Sequence, residues 1–484
     1  MSTDRENTST ALSAVELSDG PGSAYRHRAA ALLRSAANDL KRDHSNAARD
    51  LGLSLEEYSA YVSGALAPNW ELIERAAKVW PLNERDLLPI HDDVPHGLRI
   101  VTREESRATA RVLQRGGVDY YEYRDTAMSR VASFRPEYIK MLQSVSDEDA
   151  ANPSVQWNEG HLLYQLTYFV GPVNYYYSWH GQLRCVPMNT GDSVWAVPFA
   201  PHSFAARRRD SGAHILALTY GGELVGDPQR ELAVLGTRTT AAIALPITSE
   251  SETSGAMLRS LLRTRLLTNA ELSSVAHVAP QRLAALCMGN DVPTPTELAA
   301  LAAALRVAVR DLMPRTTATV DGVSIHRKSG SRRWRLPDGD GNAYDVTLLA
   351  GDPIHPETTA FELVVPAEAL VDPDVLRSHQ HTYLYILSGH GDLVWHHHGR
   401  PYTAELDTGD SAYALPEVGI GMRGRDGRPM RVLLVRIGGA VSTDVRSVLS
   451  LLSCRHIERY LYEDAQWYRT EGRSAVGLTN AEVK

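Results

Sequence analysis

The sequence predicts an α+β protein built as a tandem repeat, in which a helix-turn-helix-like helical bundle is followed by a β barrel and the pair then recurs. Segments with helical periodicity occur near the N-terminus and again near the middle of the 484-residue chain. Short alternating segments with Gly and Pro turns follow each of them, which is typical of a sandwich or barrel. The motifs of the first half return in the same order in the second half, as expected for a duplication.

These patterns divide the chain into six segments. They are a disordered leader (1–24), a first helical unit (25–92), a first β unit (93–230), a second helical unit (250–316), a degenerate second β unit (317–440) and a C-terminal tail (441–484). In the first helical unit, Gly52 is expected at a turn between two helices. Ser54, with Glu57 three residues later, predicts a capped start for the next helix.

Composition excludes several classes of protein. The formal net charge is −8, which argues against a large non-specific DNA-binding surface. No apolar run reaches the roughly 20 residues needed to span a bilayer, so no membrane partner is expected. The polar N-terminus lacks the features of a signal peptide, and three widely spaced cysteines suit a reducing compartment. The sequence therefore predicts a cytoplasmic protein, and it leaves the oligomeric state open, a homo-oligomer included.

The sequence Asn158-Glu159-Gly160-His161 predicts a metal site. His161 and Gln165 have the same parity on a predicted strand and should point to one face of it. His202, after a Gly-Asp turn, would return on a later strand. Two imidazoles and one oxygen donor with open coordination positions are typical of non-haem Fe(II) sites that bind oxygen. The oxygen donor is usually a carboxylate, whereas here it would be an amide.

The duplication serves as an internal control. We align His381 with His161, Tyr385 with Gln165 and Ile420 with His202, so two of the three proposed ligands are missing from the second copy. Leu266 aligns with Lys41 in the same way. The alignment predicts one competent copy and one structural copy.

A bacterial regulator, in which a helix-turn-helix precedes the β barrel, is the main alternative. A DNA-reading helix would carry basic and amide side chains. The candidate recognition helix, 54–66, has two glutamates and no Lys or Arg, and its counterpart from Ala279 has one arginine. DNA is therefore not the expected partner, because both helices are poor at neutralising phosphates.

The β units carry the signature of a cupin (double-stranded β-helix) barrel: a histidine with an oxygen donor four residues later, then Gly-Asp, then Pro and His. Together with the helical units and the Pro201-His202-Ser203 motif, the chain resembles the phosphonate-oxidising non-haem iron enzymes. That family includes hydroxyethylphosphonate dioxygenase, methylphosphonate synthase and, more distantly, hydroxypropylphosphonate epoxidase. The resemblance implies an Fe(II)- and O2-dependent enzyme that acts on a hydroxyalkylphosphonate without 2-oxoglutarate.

The same resemblance implies a substrate site. Arg115 and Tyr123 match the family residues that hold the phosphonate, Asn158 matches a substrate-contacting asparagine, and Lys41 matches a lysine that reaches in from a helical unit. A phosphonate dianion suits such a set, because a guanidinium fork, a point charge and neutral donors all stabilise it. The resemblance gives Lys41 and Gln165 catalytic roles.

One difference within the family concerns the oxygen ligand. The dioxygenase has a glutamate six residues before the second histidine, where this chain has Ala196. The synthase has a glutamine four residues after the first histidine, where this chain has Gln165. The resemblance therefore favours cleavage of 2-hydroxyethylphosphonate to methylphosphonate. The alternatives are the dioxygenase products, hydroxymethylphosphonate and formate, and a helix-turn-helix–cupin transcription regulator.

Overall fold

The computed structural model describes residues 22–245, 249–315, 317, 319, 321–339, 342–367 and 370–467. Most of the predicted leader lies outside these residues. Within them, no helix combines the length and the apolar character needed to cross a membrane.

Four helices form the first helical unit. They are α1 (Ser23–Asp39), α2 (His44–Asp50), α3 (Leu55–Val62) and α4 (Trp70–Val79). The predicted turn is present, since Gly52 has a φ of 64° between α2 and α3. The predicted cap is also present, because Ser54 and Glu57 form a capping box at the start of α3. Leu51 and Tyr58 are fully buried between these helices.

The first β unit consists of short strands joined by tight turns, with one short helix. Its elements are β1 (Leu98–Val101), α5 (Arg103–Ala108), β2 (Arg111–Arg115), β3 (Val118–Asp125), β4 (Phe134–Met141), β5 (Tyr164–Val170), β6 (Val173–Trp179), β7 (Gln182–Met188), β8 (Ser193–Ala196), β9 (His202–Ala206) and β10 (His214–Tyr220). The alternating sequence in this region therefore predicts its β-rich character correctly.

The second half repeats this order after a linker helix, α6 (Asp227–Ile243), that the sequence patterns do not predict. The helices of the repeat are α7 (Glu250–Arg265), α8 (Asn269–Ala276), α9 (Pro280–Met288) and α10 (Pro295–Leu305). The strands are β11 (Val323–His326), β12 (Arg333–Leu336), β13 (Tyr344–Leu348), β14 (Thr358–Val365), β15 (His381–Ser388), β16 (His390–His397), β17 (Arg400–Asp407), β18 (Ser411–Ala414), β19 (Gly419–Gly424) and β20 (Met430–Ile437). The tail contains α11 (Thr443–Leu449) and α12 (Cys454–Tyr462).

The two β units exchange their first strands. Each unit has a seven-stranded and a three-stranded sheet, and the named strands pair in antiparallel fashion. However, β1 pairs with β18 in the second unit's large sheet, and β11 pairs with β8 in the first unit's large sheet. Boundaries at positions 93 and 317 therefore assign β1 and β11 to the wrong sheets, although they divide the chain in order. Neither large sheet is complete without a strand from the other half.

Mirrored hydrogen bonds join the two units. Ser193 Oγ accepts a hydrogen bond from the backbone N of Ala350, and Ser411 Oγ accepts one from the backbone N of Ala127, both at 2.9 Å. These pairs make Ser193 the structural equivalent of Ser411, which establishes the correspondence of β8 with β18.

Strand β5 has two buried faces because it lies between two cores. One face packs Leu166 and Tyr168 against the second unit's large sheet. The other face carries Gln165, Thr167 and Phe169 into the interior of the first β unit, since alternate residues point the same way. The polar residues of this strand are thus directed into the otherwise apolar interior of the first β unit.

Candidate functional site

His161 lies in the turn before β5, not on the strand as the sequence analysis expects. Its position depends on Gly160, which has a φ of 77° and approaches the loop before β9 closely. A Cβ at Gly160 would lie 2.5 Å from the backbone carbonyl carbon of Phe199. The backbone N of Phe199 donates to His161 O at 2.8 Å. Only glycine allows this approach, which brings His161 to the loop that leads into His202.

Both histidines are held in one tautomer by backbone carbonyls. His161 Nδ1 donates to Leu163 O and His202 Nδ1 donates to Ala200 O, each at 2.9 Å. In a neutral imidazole, a proton on Nδ1 leaves a lone pair on Nε2. Burial keeps His202 neutral, lowering the pKa of its imidazole to about 4. A backbone partner on the second ring nitrogen is the usual arrangement around a metal-binding histidine.

Gln165 completes the set of donors. Its Oε1 lies 3.1 Å from His161 Nε2, and its Nε2 donates to Thr167 Oγ1 at 2.8 Å. Two lone-pair acceptors therefore face each other in a buried place, and such a contact is favourable only when a cation or proton lies between them. This arrangement fits a metal ion that accepts imidazole nitrogen and amide oxygen.

The third ligand of such a metal would have to be an amide. Over the described parts of the chain, no three His, Cys, Asp or Glu residues cluster in a way that could hold a metal ion. The ring centroids of His161 and His202 lie 5.2 Å apart with the rings nearly perpendicular, which is close enough for both imidazoles to bind one metal ion. Ala196, which lies opposite Gln165 on β8, offers no donor.

Asn158 connects the turn before β5 to β9. Its Oδ1 accepts hydrogen bonds from the backbone N of Gly160 at 3.0 Å and of His202 at 2.8 Å. These two donors determine the orientation of the amide. They leave its Nδ2 to donate to His202 Nε2 at 3.0 Å, so the amide N–H group of Asn158 lies at the edge of the candidate metal site.

Arg115 lies above a layer of tyrosines near the histidines. Its guanidinium is 4.9 Å from the ring centroid of Tyr121, and its Nη1 donates to Gln156 O. Its positive charge acts on both His202 and Tyr123, lowering the pKa of each, although burial has the larger effect and raises the pKa of Tyr123 overall. Among the described residues, no acidic side chain forms an ion pair with Arg115, so its charge is available to an anion.

Lys41 is not brought to the histidines. Its Nζ donates to Asp39 O at 2.7 Å and lies 5.1 Å from the ring centroid of Trp467, which follows α12 in the tail. No hydrogen bond or ion pair among the described residues joins Lys41 to His161 or Gln165. Within one copy of the chain, Lys41 therefore belongs to the contact between the first helical unit and the tail.

The strand registers correct the alignment of the second copy. Thr382 lies opposite Ala414 in the way that Gln165 lies opposite Ala196. His381 therefore corresponds to Tyr164. The rings confirm this, since His381 stacks on Tyr413 as Tyr164 stacks on Trp195. The expected matches of His381 with His161 and Tyr385 with Gln165 are wrong by three residues, because sequence spacing cannot locate the start of a strand.

The residue equivalent to His161 is Ser378. Its carbonyl accepts from the backbone N of Glu417 at 2.7 Å, as that of His161 accepts from Phe199, and both donors have a positive φ. The match of Ile420 with His202 is correct, because they pair with equivalent positions of β16 and β6. All three donors are therefore replaced in the second unit.

Two polar residues of the site are absent from the sequence-based set. Thr167, fully buried, contacts the Gln165 amide. The period of two along a strand could have identified it, since it lies two residues beyond Gln165. Glu137 on β4 is a partly buried carboxyl that interacts electrostatically with His161 and pairs with Arg111 at 3.0 Å. Burial raises the pKa of Glu137. No sequence signal marks Glu137, because only the sheet brings it near.

Known proteins resemble this chain over nearly its whole length. Methylphosphonate synthase of Nitrosopumilus maritimus (strain SCM1) is 37% identical over 441 residues, which cover 90% of this chain and 95% of that protein. The chain belongs to the family of methylphosphonate synthase and hydroxyethylphosphonate dioxygenase. Comparison with protein-family models gives no match.

Solved structures of this family have the same fold. The Streptomyces albus hydroxyethylphosphonate dioxygenase, solved with 2-hydroxyethylphosphonate and Fe(II) bound, is 50% identical and superposes with a TM-score of 0.87. The superposition covers 92% of this chain and 99% of that one. A second hydroxyethylphosphonate dioxygenase, 22% identical with a TM-score of 0.71 and coverage of 89% and 99%, shares the fold. The mixed α/β architecture with antiparallel sheets is therefore that of the family.

Proposed function

We propose that this protein is a non-haem iron oxygenase that uses Fe(II) and O2 to cleave the carbon–carbon bond of 2-hydroxyethylphosphonate. The observation that carries the proposal is the contact between His161 Nε2 and Gln165 Oε1. Two acceptors at 3.1 Å are favourable only with a cation or a proton between them, and the His202 ring lies beside them, with its centroid 5.2 Å from that of His161. The relative that is 50% identical holds Fe(II) and 2-hydroxyethylphosphonate, which supports iron as that cation.

His161, Gln165 and His202 would hold the iron. When bound, iron supplies a site at which substrate and O2 meet and electrons pass between them. The two Nδ1–H donors to backbone carbonyls keep the imidazoles in the ligating tautomer before metal arrives. A neutral amide leaves the site one charge more positive than a carboxylate would, which favours binding of an anionic substrate.

Arg115, Tyr123 and Asn158 would hold the phosphonate. Arg115 supplies charge that no acidic side chain of the described residues neutralises, and Tyr123 lies within its electrostatic reach. Asn158 offers its Nδ2–H donor beside His202. These donors would orient the substrate so that its hydroxyl-bearing end lies at the metal. Lys41 would complete the phosphonate site only if it acts from another copy of the chain or after moving away from Trp467.

We further infer that each β unit is a cupin barrel and each helical unit a helix-turn-helix-like bundle. The ten strands of each unit recur in the same order, and the turn, cap and helix order of the helical units recur as well. The first β unit (93–230) would be catalytic and the second (317–440) degenerate. The cytoplasm is the proposed location, because the three cysteines are free thiols.

Methylphosphonate is the first candidate product, with a one-carbon acid at the oxidation level of carbonate. It is supported by Gln165 opposite Ala196 and by the 37% identical synthase. Hydroxymethylphosphonate with formate is the second candidate, which the 50% identical dioxygenase favours. Both product pairs contain the atoms of one substrate and one O2. They differ only in whether the second oxygen atom ends on the phosphonate carbon or on the one-carbon acid.

Phosphorus NMR of a reaction with the purified chain, Fe(II), O2 and 2-hydroxyethylphosphonate tests the proposal. A methylphosphonate resonance supports the first product, and a hydroxymethylphosphonate resonance supports the second. Unchanged substrate in the presence of a fully iron-loaded protein would contradict the proposed reaction. In that case, a salt-dependent shift of DNA would point to the regulator instead.

A further inference from the structure

The amide of Gln165 can face the metal with either of its ends. Its carbonyl oxygen can bind a cation, whereas its NH2 group cannot. In the absence of metal, a half-turn of the amide would place NH2 against His161 Nε2, which is a good hydrogen bond for a neutral imidazole. A glutamine ligand therefore needs a reason to present its oxygen, which a carboxylate, having two equivalent oxygens, does not need.

Thr167 provides that reason. Its hydroxyl accepts the hydrogen bond from Gln165 Nε2 at 2.8 Å, and its side chain is fully buried. When the carbonyl faces the metal, the NH2 group points into the barrel interior, where a buried donor without a partner is costly. The Thr167 hydroxyl is the acceptor in that direction. It therefore stabilises the ligating orientation of the amide.

The second β unit provides an independent comparison. Leu384 lies opposite Ala412 in β18, in the way that Thr167 lies opposite Val194 in β8. It is the equivalent of Thr167, and it is 1% exposed in an apolar core. The unit that lacks the glutamine thus also lacks the buried hydroxyl, so the barrel does not need a polar group at this position.

We propose that Thr167 is a positioning residue that orients the Gln165 amide for iron binding. The inference rests on the proposed function, in which Gln165 is an iron ligand. Thr167 would contact neither the metal nor the substrate, and its effect would pass through the hydrogen bond to Gln165.

The test is the Kd for Fe(II), measured anaerobically by competition with a coloured chelator, for the wild type and for Thr167→Val and Thr167→Ser. Valine has the shape of threonine without the hydroxyl. We expect Thr167→Val to weaken iron binding about 10- to 100-fold, as loss of an outer-shell partner commonly does. Thr167→Ser keeps the hydroxyl and should retain most of the wild-type affinity.

Thr126→Val is the matched control. Thr126 is also buried, and its hydroxyl donates to Pro136 O and accepts from Tyr383 outside the site. This variant should lower the melting temperature of the metal-free protein without changing the Kd for Fe(II). Should Thr167→Val not fold, Thr167→Ala carries the same prediction, because alanine also lacks the hydroxyl.

Measuring Thr167→Val again in a protein that carries Gln165→Glu separates the effect of amide orientation from other effects of Thr167. In Gln165→Glu, either oxygen can bind iron, so adding Thr167→Val should weaken iron binding much less than it does in the wild type. An equal loss in both backgrounds, or a Thr167→Val variant with wild-type affinity, would overturn the inference about Thr167. Failure of the wild type to bind Fe(II) would instead contradict the proposed function.

Discussion

The two β units differ at the site far more than in their fold. They have the same strand order, exchange equivalent strands and form mirrored hydrogen bonds at Ser193 and Ser411. At the positions of the four polar residues of the first unit, the second unit has other side chains. These are Ser378 for His161, Thr382 for Gln165, Leu384 for Thr167 and Ile420 for His202. The arrangement of strands therefore does not depend on the polar set, and the presence of that set in one unit indicates a function.

The second unit nevertheless supports the first. Tyr168 on β5 donates to Glu362 Oε2 at 2.6 Å across the contact between the large sheets. Glu362 is 3% exposed and is paired with Lys328 and Arg431. Because Tyr168 is adjacent to Thr167 and points to the opposite face, this buried cluster holds the strand that carries Gln165. The second β unit thus contributes to the rigidity of the site.

Replacing His202 with isoleucine, the residue at the equivalent position of the second β unit, should have the largest effect on iron binding. We expect His202→Ile to fold, because Ile420 is fully buried at the equivalent position. It should bind Fe(II) more than about 100-fold more weakly than the wild type, since loss of an outer-shell partner alone costs up to that factor. Metal analysis and phosphorus NMR would measure this. Ile420→Val, a packing change at the equivalent position of the second unit, is the control. If this variant also bound iron more weakly, the loss in His202→Ile would come from altered packing and not from the missing ligand.

Gln165→Glu sharpens the comparison within the first unit. A carboxylate makes the site one charge less positive and should bind iron more tightly while changing the ratio of phosphonate products. Iron content and phosphorus NMR of the reaction are the measurements. If iron affinity and products both match the wild type, Gln165 is not a ligand.

Each unit buries one histidine whose pKa is lowered to about 4, His202 in the first and His381 in the second. In the unfolded chain both titrate near 6.5. The unfolded state therefore binds more protons between these values, and the metal-free protein should lose about 1.4 kcal/mol of stability per pH unit per histidine as the pH falls from 6.5 to 4. Urea unfolding at several pH values would measure this slope.

His381→Phe separates the two contributions. Phenylalanine can keep the stacking on Tyr413 but cannot titrate. About 1.4 kcal/mol per pH unit of the slope should disappear. The remainder should come from His202 together with His214 and His355, because burial also lowers the pKa of those two imidazoles. A slope that is unchanged in this variant would exclude His381 as its source.

The contact between the first helical unit and the tail, which the second helical unit lacks at Arg259, should give the smallest effect, a change in stability. Arg34 in α1 donates to Val62 O, as Arg259 in α7 donates to Cys287 O, but only Arg34 also contacts carbonyls of the tail, at Tyr462 and Glu463.

Trp467→Ala removes the ring that Lys41 approaches in this contact. It should cost about 0.5–1 kcal/mol, the usual value of an exposed cation–π pair, as measured by thermal unfolding. Trp70→Ala, at an exposed tryptophan of the first helical unit, is the control. A larger loss for Trp467→Ala would show that the tail stabilises the whole first helical unit.

Local sequence patterns were sufficient for the elements whose signals are local. The capping box at Ser54 and the turn at Gly52 agree with the prediction, because caps and turns depend on neighbouring residues. The helix α6 was missed. It buries none of its residues, so it shows no clear apolar stripe facing a core.

The sequence by itself determined which residues could bind a metal ion. They are two histidines and a glutamine in place of a carboxylate, while Ala196 has no donor atom. It also predicted a duplicated chain in which the second copy lacks two of the three proposed ligands. These conclusions need only residue identity and spacing.

Only the tertiary structure decided how these residues meet. It placed His161 in a turn, shifted the second copy by three residues, exchanged β1 with β11, and left Lys41 beside the tail. It also brought Thr167 to the amide of Gln165. Strand register and sheet partners depend on contacts between distant parts of the chain, which residue spacing along the sequence does not specify.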